Sequence, residues 1–141
     1  MQQMKGRIHH VGVAVAELAS AREFLEGVMG FRLENAGSLT DSNLEFAFFS
    51  LDGGSQVEMF QVNDPEMRAR RLGEGNQARV EHIAIEVEDI DQARAELEAS
   101  GVRMQAETPM LTPVARSYFT RPETSGGVIY QLLDRKIQPA S

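Results

Sequence analysis

Two histidines, each heading a nearly repeated stretch, are the residues of this chain best suited to chemistry. His10-Val-Gly-Val-Ala-Val-Ala-Glu-Leu-Ala-Ser-Ala-Arg-Glu-Phe-Leu-Glu26 aligns without a gap on His82-Ile-Ala-Ile-Glu-Val-Glu-Asp-Ile-Asp-Gln-Ala-Arg-Ala-Glu-Leu-Glu98, an offset of 72 residues from position 10 to position 82. Val15/Val87, Ala21/Ala93, Arg22/Arg94, Leu25/Leu97 and Glu26/Glu98 also coincide. The period is too long for a solenoid and implies a duplicated half-domain. A second pair follows the first: Ser55–Phe60 aligns on Val128–Leu133, which sets Glu58 over Gln131 at an offset of 73. A charged or amide side chain in such apolar runs costs several kcal/mol to bury unless it finds a hydrogen bond or a cation. A lone strand histidine is more often a packing residue than a ligand. Its recurrence at the same point of both repeats, each time with a ligand-competent partner on the last strand, favours a metal site made of His10, Glu58, His82 and Gln131. Two imidazoles, a carboxylate and an amide oxygen suit one divalent ion, Fe, Co, Ni, Zn or Mn. With no cysteine in the chain, a thiolate site is excluded.

The elements that must position these groups repeat with them. Ile8 to Val15 alternates as a strand, so His10 and His9 point to opposite faces, and His9 has Glu81 rather than a histidine as its counterpart. Leu18 to Val28 has helical spacing and is closed by Gly30; the second copy is a strand from Val80 to Val87, Asp91 as N-cap, and a helix ending at Gly101. Strands are then expected at Phe31–Glu34, Leu44–Leu51 and Val57–Val62 in the first half, and at Val102–Glu107, Ser117–Thr120 and Val128–Leu133 in the second. Turns fall at Asp52-Gly53-Gly54 and Ser125-Gly126-Gly127. Each half is therefore βαβββ. Between them, Asp64 as N-cap, Pro65 at the first helical position, and Arg68, Arg70 and Arg71 describe a short basic helix stopped near Gly73. The arginines read as a solvated face or as contacts for an anionic ligand. The expected organisation is a single domain over 1–141, with halves at 8–62 and 80–135 and a connector at 63–79.

Composition narrows the function classes. At 141 residues the chain is the size of one domain, and each half alone would be marginal. A formal net charge of −7 argues against nucleic acid and anionic membrane surfaces as partners. No signal segment precedes the first strand, and no run of 18 apolar residues occurs, so a soluble cytoplasmic protein is expected. Apolar strands with open edges in an acidic domain lead to the expectation of a homodimer. Glu45, in Asn-Leu-Glu-Phe-Ala-Phe-Phe, is a lone acid in an apolar strand; such an acid is either an edge charge facing water or a base whose pKa burial would raise.

The repeated plan resembles the vicinal oxygen chelate superfamily, which includes glyoxalase I, extradiol dioxygenases and methylmalonyl-CoA epimerases. Ile8-His-His-Val-Gly-Val-Ala-Val15, the run from Gly73 through Glu81-His82 to Ile90, and Arg121-Pro-Glu-Thr-Ser-Gly-Gly-Val-Ile-Tyr-Gln-Leu132 are most similar to the epimerases. The resemblance implies an α+β fold, in which two tandem βαβββ repeats form a cup-shaped, mostly antiparallel sheet around a metal. It assigns the ligand roles to His10, Glu58, His82 and Gln131, and Glu45 falls where some epimerases carry a catalytic glutamate. Two positions differ: Tyr130-Gln131-Leu132 replaces a Val-Glu-Leu type triplet, and Arg121-Pro122 replaces a His-Pro pair. The implied activity is metal-dependent epimerisation by proton abstraction beside a thioester carbonyl, with a small acyl-CoA thioester as substrate, Glu45 as base and Glu58 as the second candidate. The alternatives are a glyoxalase I-type lyase, an extradiol-type oxygenase, and a non-catalytic ligand-binding member.

Overall fold

The computed structural model describes residues 4–136. They fall into two compact units, one of His10–Glu81 and one of the described residues of 1–9 and 82–141. Both are built to the same α+β plan. The first half runs β1 (Gly6–Val15), α1 (Leu18–Gly27), β2 (Arg32–Leu39), β3 (Leu44–Ser50) and β4 (Gln56–Val62). After the connector helix α2 (Pro65–Leu72), the second half runs β5 (Ala78–Val87), α3 (Ile90–Ala99), β6 (Met110–Leu111), β7 (Arg116–Phe119) and β8 (Ile129–Asp134). Strand order is β2-β3-β4-β1 in the first half and β5-β8-β7-β6 in the second. In each, the first strand pairs with the last in parallel and the other two pairings are antiparallel. Among the described residues no helix is long and apolar enough to cross a membrane.

The helices form where their ends are satisfied. Both α1 and α3 are followed by a glycine at positive φ, Gly30 (77°) and Gly101 (96°). The next amide then donates back to a helix carbonyl, Phe31 to Leu25 and Val102 to Leu97. The repeated Arg22/Glu26 and Arg94/Glu98 positions are one-turn ion pairs on these helices. Helix α2 matches its expected form: the Asp64 carboxylate accepts from the Met67 amide at 2.9 Å, Pro65 opens it, and Gly73 ends it. The N-cap of α3 is Asp89 rather than Asp91; its Oδ1 accepts from the amides of Asp91 and Gln92.

Each sheet buries one face under its helix. Leu25 of α1 packs with Ala47 and Phe49 of β3, beside Val57 and Met59 of β4. On the other face of the same strands, Leu44, Phe60 and Val62 pack with Leu72 of α2. In the second unit Tyr118 and Leu132 pack against Ile90 and Ala93 of α3. The strand expected at Val102–Glu107 does not form. Met104 makes only an isolated bridge to Thr120, and the edge strand is Met110–Leu111. Pro109 and Pro113 bracket that strand, and proline both removes an amide donor and restricts the residue before it.

Candidate metal centre

The strand register carries the repeat into three dimensions. On β1 and β4, His10 lies opposite Gln56 and Gly12 opposite Glu58; on β5 and β8, His82 lies opposite Ile129 and Ala84 opposite Gln131. In both halves the polar residue of the last strand therefore stands one pleat along from the histidine, on the same face, beside a residue with little or no side chain. Glu58 Oε1 lies 3.3 Å from His10 Nε2, with the Glu58 side chain 13% exposed and the His10 side chain 3% exposed. His82 is as deeply buried as His10, and Gln131 is also buried. The Gln131 amide nitrogen donates to Ser117 Oγ at 2.9 Å, which leaves the amide oxygen as the end able to bind a cation.

Aromatic edges fix both imidazoles. Phe48 lies opposite Glu58 in the β3–β4 register and Phe119 opposite Gln131 in the β7–β8 register. The Phe48 ring meets His10 edge-on at 5.1 Å, and the Phe119 ring meets His82 at 5.7 Å, both nearly perpendicular. Neither phenylalanine, nor Ser117, emerges from the histidine repeat alone. Extending the alignment to Phe46-Ala-Phe48-Phe49 over Ser117-Tyr-Phe119-Thr120 exposes the Phe48/Phe119 match.

The donors fit a divalent ion. Ring nitrogens and carboxylate oxygens bind such ions at about 2.0–2.2 Å, so two donors at right angles around one ion sit about 3 Å apart, close to the His10–Glu58 separation. Glu86, on the His82 face of β5, is committed elsewhere. Burial would raise its carboxyl, but hydrogen bonds and charge from Arg135 and Arg7 outweigh that and lower it.

Glu45 is not part of this arrangement. In the β3–β4 register Phe48 shares a face with Glu58, whereas Glu45 lies opposite Gln61 on the face that α1 covers, and it is exposed there. Gln61 itself accepts from the first amide of α1, Leu18, at 2.8 Å. Strand alternation thus places Glu45 on the opposite face of β3 from Phe48 and Glu58. His9 is on the opposite face from His10, within 3.2 Å of Arg135 Nη2. Of the connector arginines, Arg71 forms two hydrogen bonds to Glu81, at 2.8 and 2.6 Å, and its guanidinium lies 4.6 Å over the Phe60 ring.

Known proteins share both sequence and fold. A bovine mitochondrial methylmalonyl-CoA epimerase is 27% identical over 129 residues, 90% of this chain and 73% of that protein. The crystal structure of methylmalonyl-CoA epimerase from Mycobacterium tuberculosis superposes with a TM-score of 0.85 at 25% identity, covering 97% of this chain and 93% of that one. A methylmalonyl-CoA epimerase in complex with methylmalonyl-CoA and NH4+ superposes with a TM-score of 0.78 at 24% identity, covering 93% and 95%. Residues 9–116, which include His10, Glu58 and His82, match the family model of the glyoxalase/bleomycin resistance protein/dioxygenase superfamily, and the chain belongs to that superfamily.

Proposed function

We propose that this chain is a metal-dependent isomerase that removes a proton from the carbon beside a thioester carbonyl, with Glu58 as the base. The observation that carries this reading is the mostly buried Glu58 carboxylate, 3.3 Å from His10 Nε2. His10, Glu58, His82 and Gln131 would hold one divalent ion between them. When bound, such an ion supplies a Lewis acid that polarises the carbonyl and steadies the charge that develops as the proton leaves. His10 and His82 are held edge-on by Phe48 and Phe119, which keep their ring nitrogens oriented and shield them from water. Glu58 takes the α-proton on its carboxylate from one face, and inversion is completed when a second proton donor returns a proton to the opposite face of the same carbon. The known epimerase bound to methylmalonyl-CoA supports an acyl-CoA thioester as substrate. The protein acts as a homodimer in this proposal, with the edge strands β2 and β6 available for pairing.

A glyoxalase I-type lyase is the second reading, and one observation favours it. With Glu45 on the α1 face, Glu58 is the only carboxylate among the described residues on the site-facing positions of β1, β3 and β4. One carboxylate can take a proton and return it to a neighbouring carbon without a second base.

The test is deuterium uptake. In heavy water, metal-loaded protein should introduce deuterium at C2 of a 2-methylmalonyl-CoA-like thioester, and Glu58→Gln should slow this about 10²- to 10⁴-fold, the usual contribution of a positioned general base. No exchange with any malonyl-type thioester, together with turnover of a hemithioacetal, would instead establish the lyase.

A further inference from the structure

We infer that Ser117 is a positioning residue that turns the amide of Gln131 so that its oxygen, rather than its nitrogen, faces the metal. This rests on the metal reading above and extends it to a residue outside the ligand set. A carboxylate presents an oxygen whichever way it rotates, but an amide presents either an acceptor or a donor, and only the acceptor can bind a cation. The second half of the chain has therefore taken on an orientation problem that the first half, with Glu58, does not have. Ser117 resolves it. Its hydroxyl oxygen accepts from Gln131 Nε2 at 2.9 Å, between two side chains that are 3% and 7% exposed. This commits the amide nitrogen, and the oxygen is left at the opposite end.

The repeat supplies an internal control. In the register of the two halves, Phe119 corresponds to Phe48 and Leu133 to Phe60, so Ser117, which pairs with Leu133, corresponds to Phe46, which pairs with Phe60. Phe46 makes a ring contact with Phe48 at 5.7 Å. The hydroxyl thus stands only in the half whose ligand is an amide. At the matching place beside the carboxylate the chain carries a phenyl ring, which can neither donate nor accept a conventional hydrogen bond.

A double-mutant cycle on metal affinity tests this, with Co2+ as the probe, titrated against a competing chelator and followed by its d–d absorption. Ser117→Ala alone should weaken Co2+ binding about 10- to 100-fold, the usual cost of losing a residue that orients a ligand, and should shift the absorption bands. Ser117→Thr, which keeps the hydroxyl, should restore most of the affinity. In the Gln131→Glu background, Ser117→Ala should cost little, because a carboxylate needs no orienting. Equal losses in both backgrounds would make Ser117 merely structural and overturn the inference. So would a Ser117→Ala protein that binds Co2+ like the parent. A parent that binds no Co2+ would overturn the metal reading and this inference with it, whereas normal Co2+ binding without deuterium exchange would leave the inference standing and remove only the proposed reaction.

Discussion

Glu58 and Gln131 occupy equivalent places in the two halves, yet one is charged and the other is not, so the proposed ligand set carries a single negative charge and a single candidate base. Glu45 makes the contrast. Because Glu45 is exposed on the opposite face of β3 from Glu58's partner Phe48, Glu45→Gln should leave deuterium exchange within experimental error of the parent while Glu58→Gln slows it about 10²- to 10⁴-fold. Loss of exchange in Glu45→Gln would contradict the strand phase. The four ligand candidates could be picked out of the sequence because duplication placed two positions, the histidine and its last-strand partner, twice each. The face of Glu45 was not: apolar neighbours suggest burial, but β3 is packed on both faces, by Phe49 against α1 and by Leu44 against α2, so apolar flanks do not reveal which way a residue points. Ser117 and Phe119 were hidden for a related reason, since partners across strands depend on a register that periodicity leaves open.

At the scale of elements, α3 is tied to the sheet by charge as well as packing. Asp134, 1% exposed at the end of β8, accepts from the Ile90 amide that opens α3 at 2.7 Å, and Arg116 of β7 binds both its oxygens, at 3.0 and 2.7 Å. Burial would raise the Asp134 carboxyl, but the hydrogen bonds from Arg116 and from the Ile90 and Lys136 amides outweigh that and hold it below the ordinary carboxylate range. A carboxyl lowered by folding contributes stability that is fully present above its unfolded pKa and is lost as pH falls through the lowered folded value. Acid unfolding should therefore involve this group, and Asp134→Asn should flatten the low-pH side of the stability curve. The variant should also be less stable near neutrality, because Arg116 would lose its buried partner and keep only the more exposed carboxylates of Asp91 and Asp89. Equal acid sensitivity in variant and parent would refute this. The cap is a smaller effect: Asp89→Ala should cost about 1 kcal/mol in chemical denaturation. Helix α2 was legible end to end because Asp64, Pro65 and Gly73 are local signals. The cap of α3 was displaced by two residues, and the expected strand after it reduced to one bridge, because Pro109 and the pairing of Met104 with Thr120 decide where that edge joins the sheet.

For the molecule as a whole, the βαβββ plan of both halves was legible because helix and strand periods alternate in the same order twice, and the comparisons agree with it. The association proposed above is checked by light scattering at micromolar concentration, where a dimer is expected and a strict monomer would remove that part of the proposal without touching the chemistry. One divalent ion per chain is proposed above for His10, Glu58, His82 and Gln131. Elemental analysis of protein purified without chelator tests it most directly. One equivalent of divalent metal per chain is expected, with most of it lost in His82→Ala; wild-type protein that neither retains metal nor takes it up on reconstitution would contradict the account.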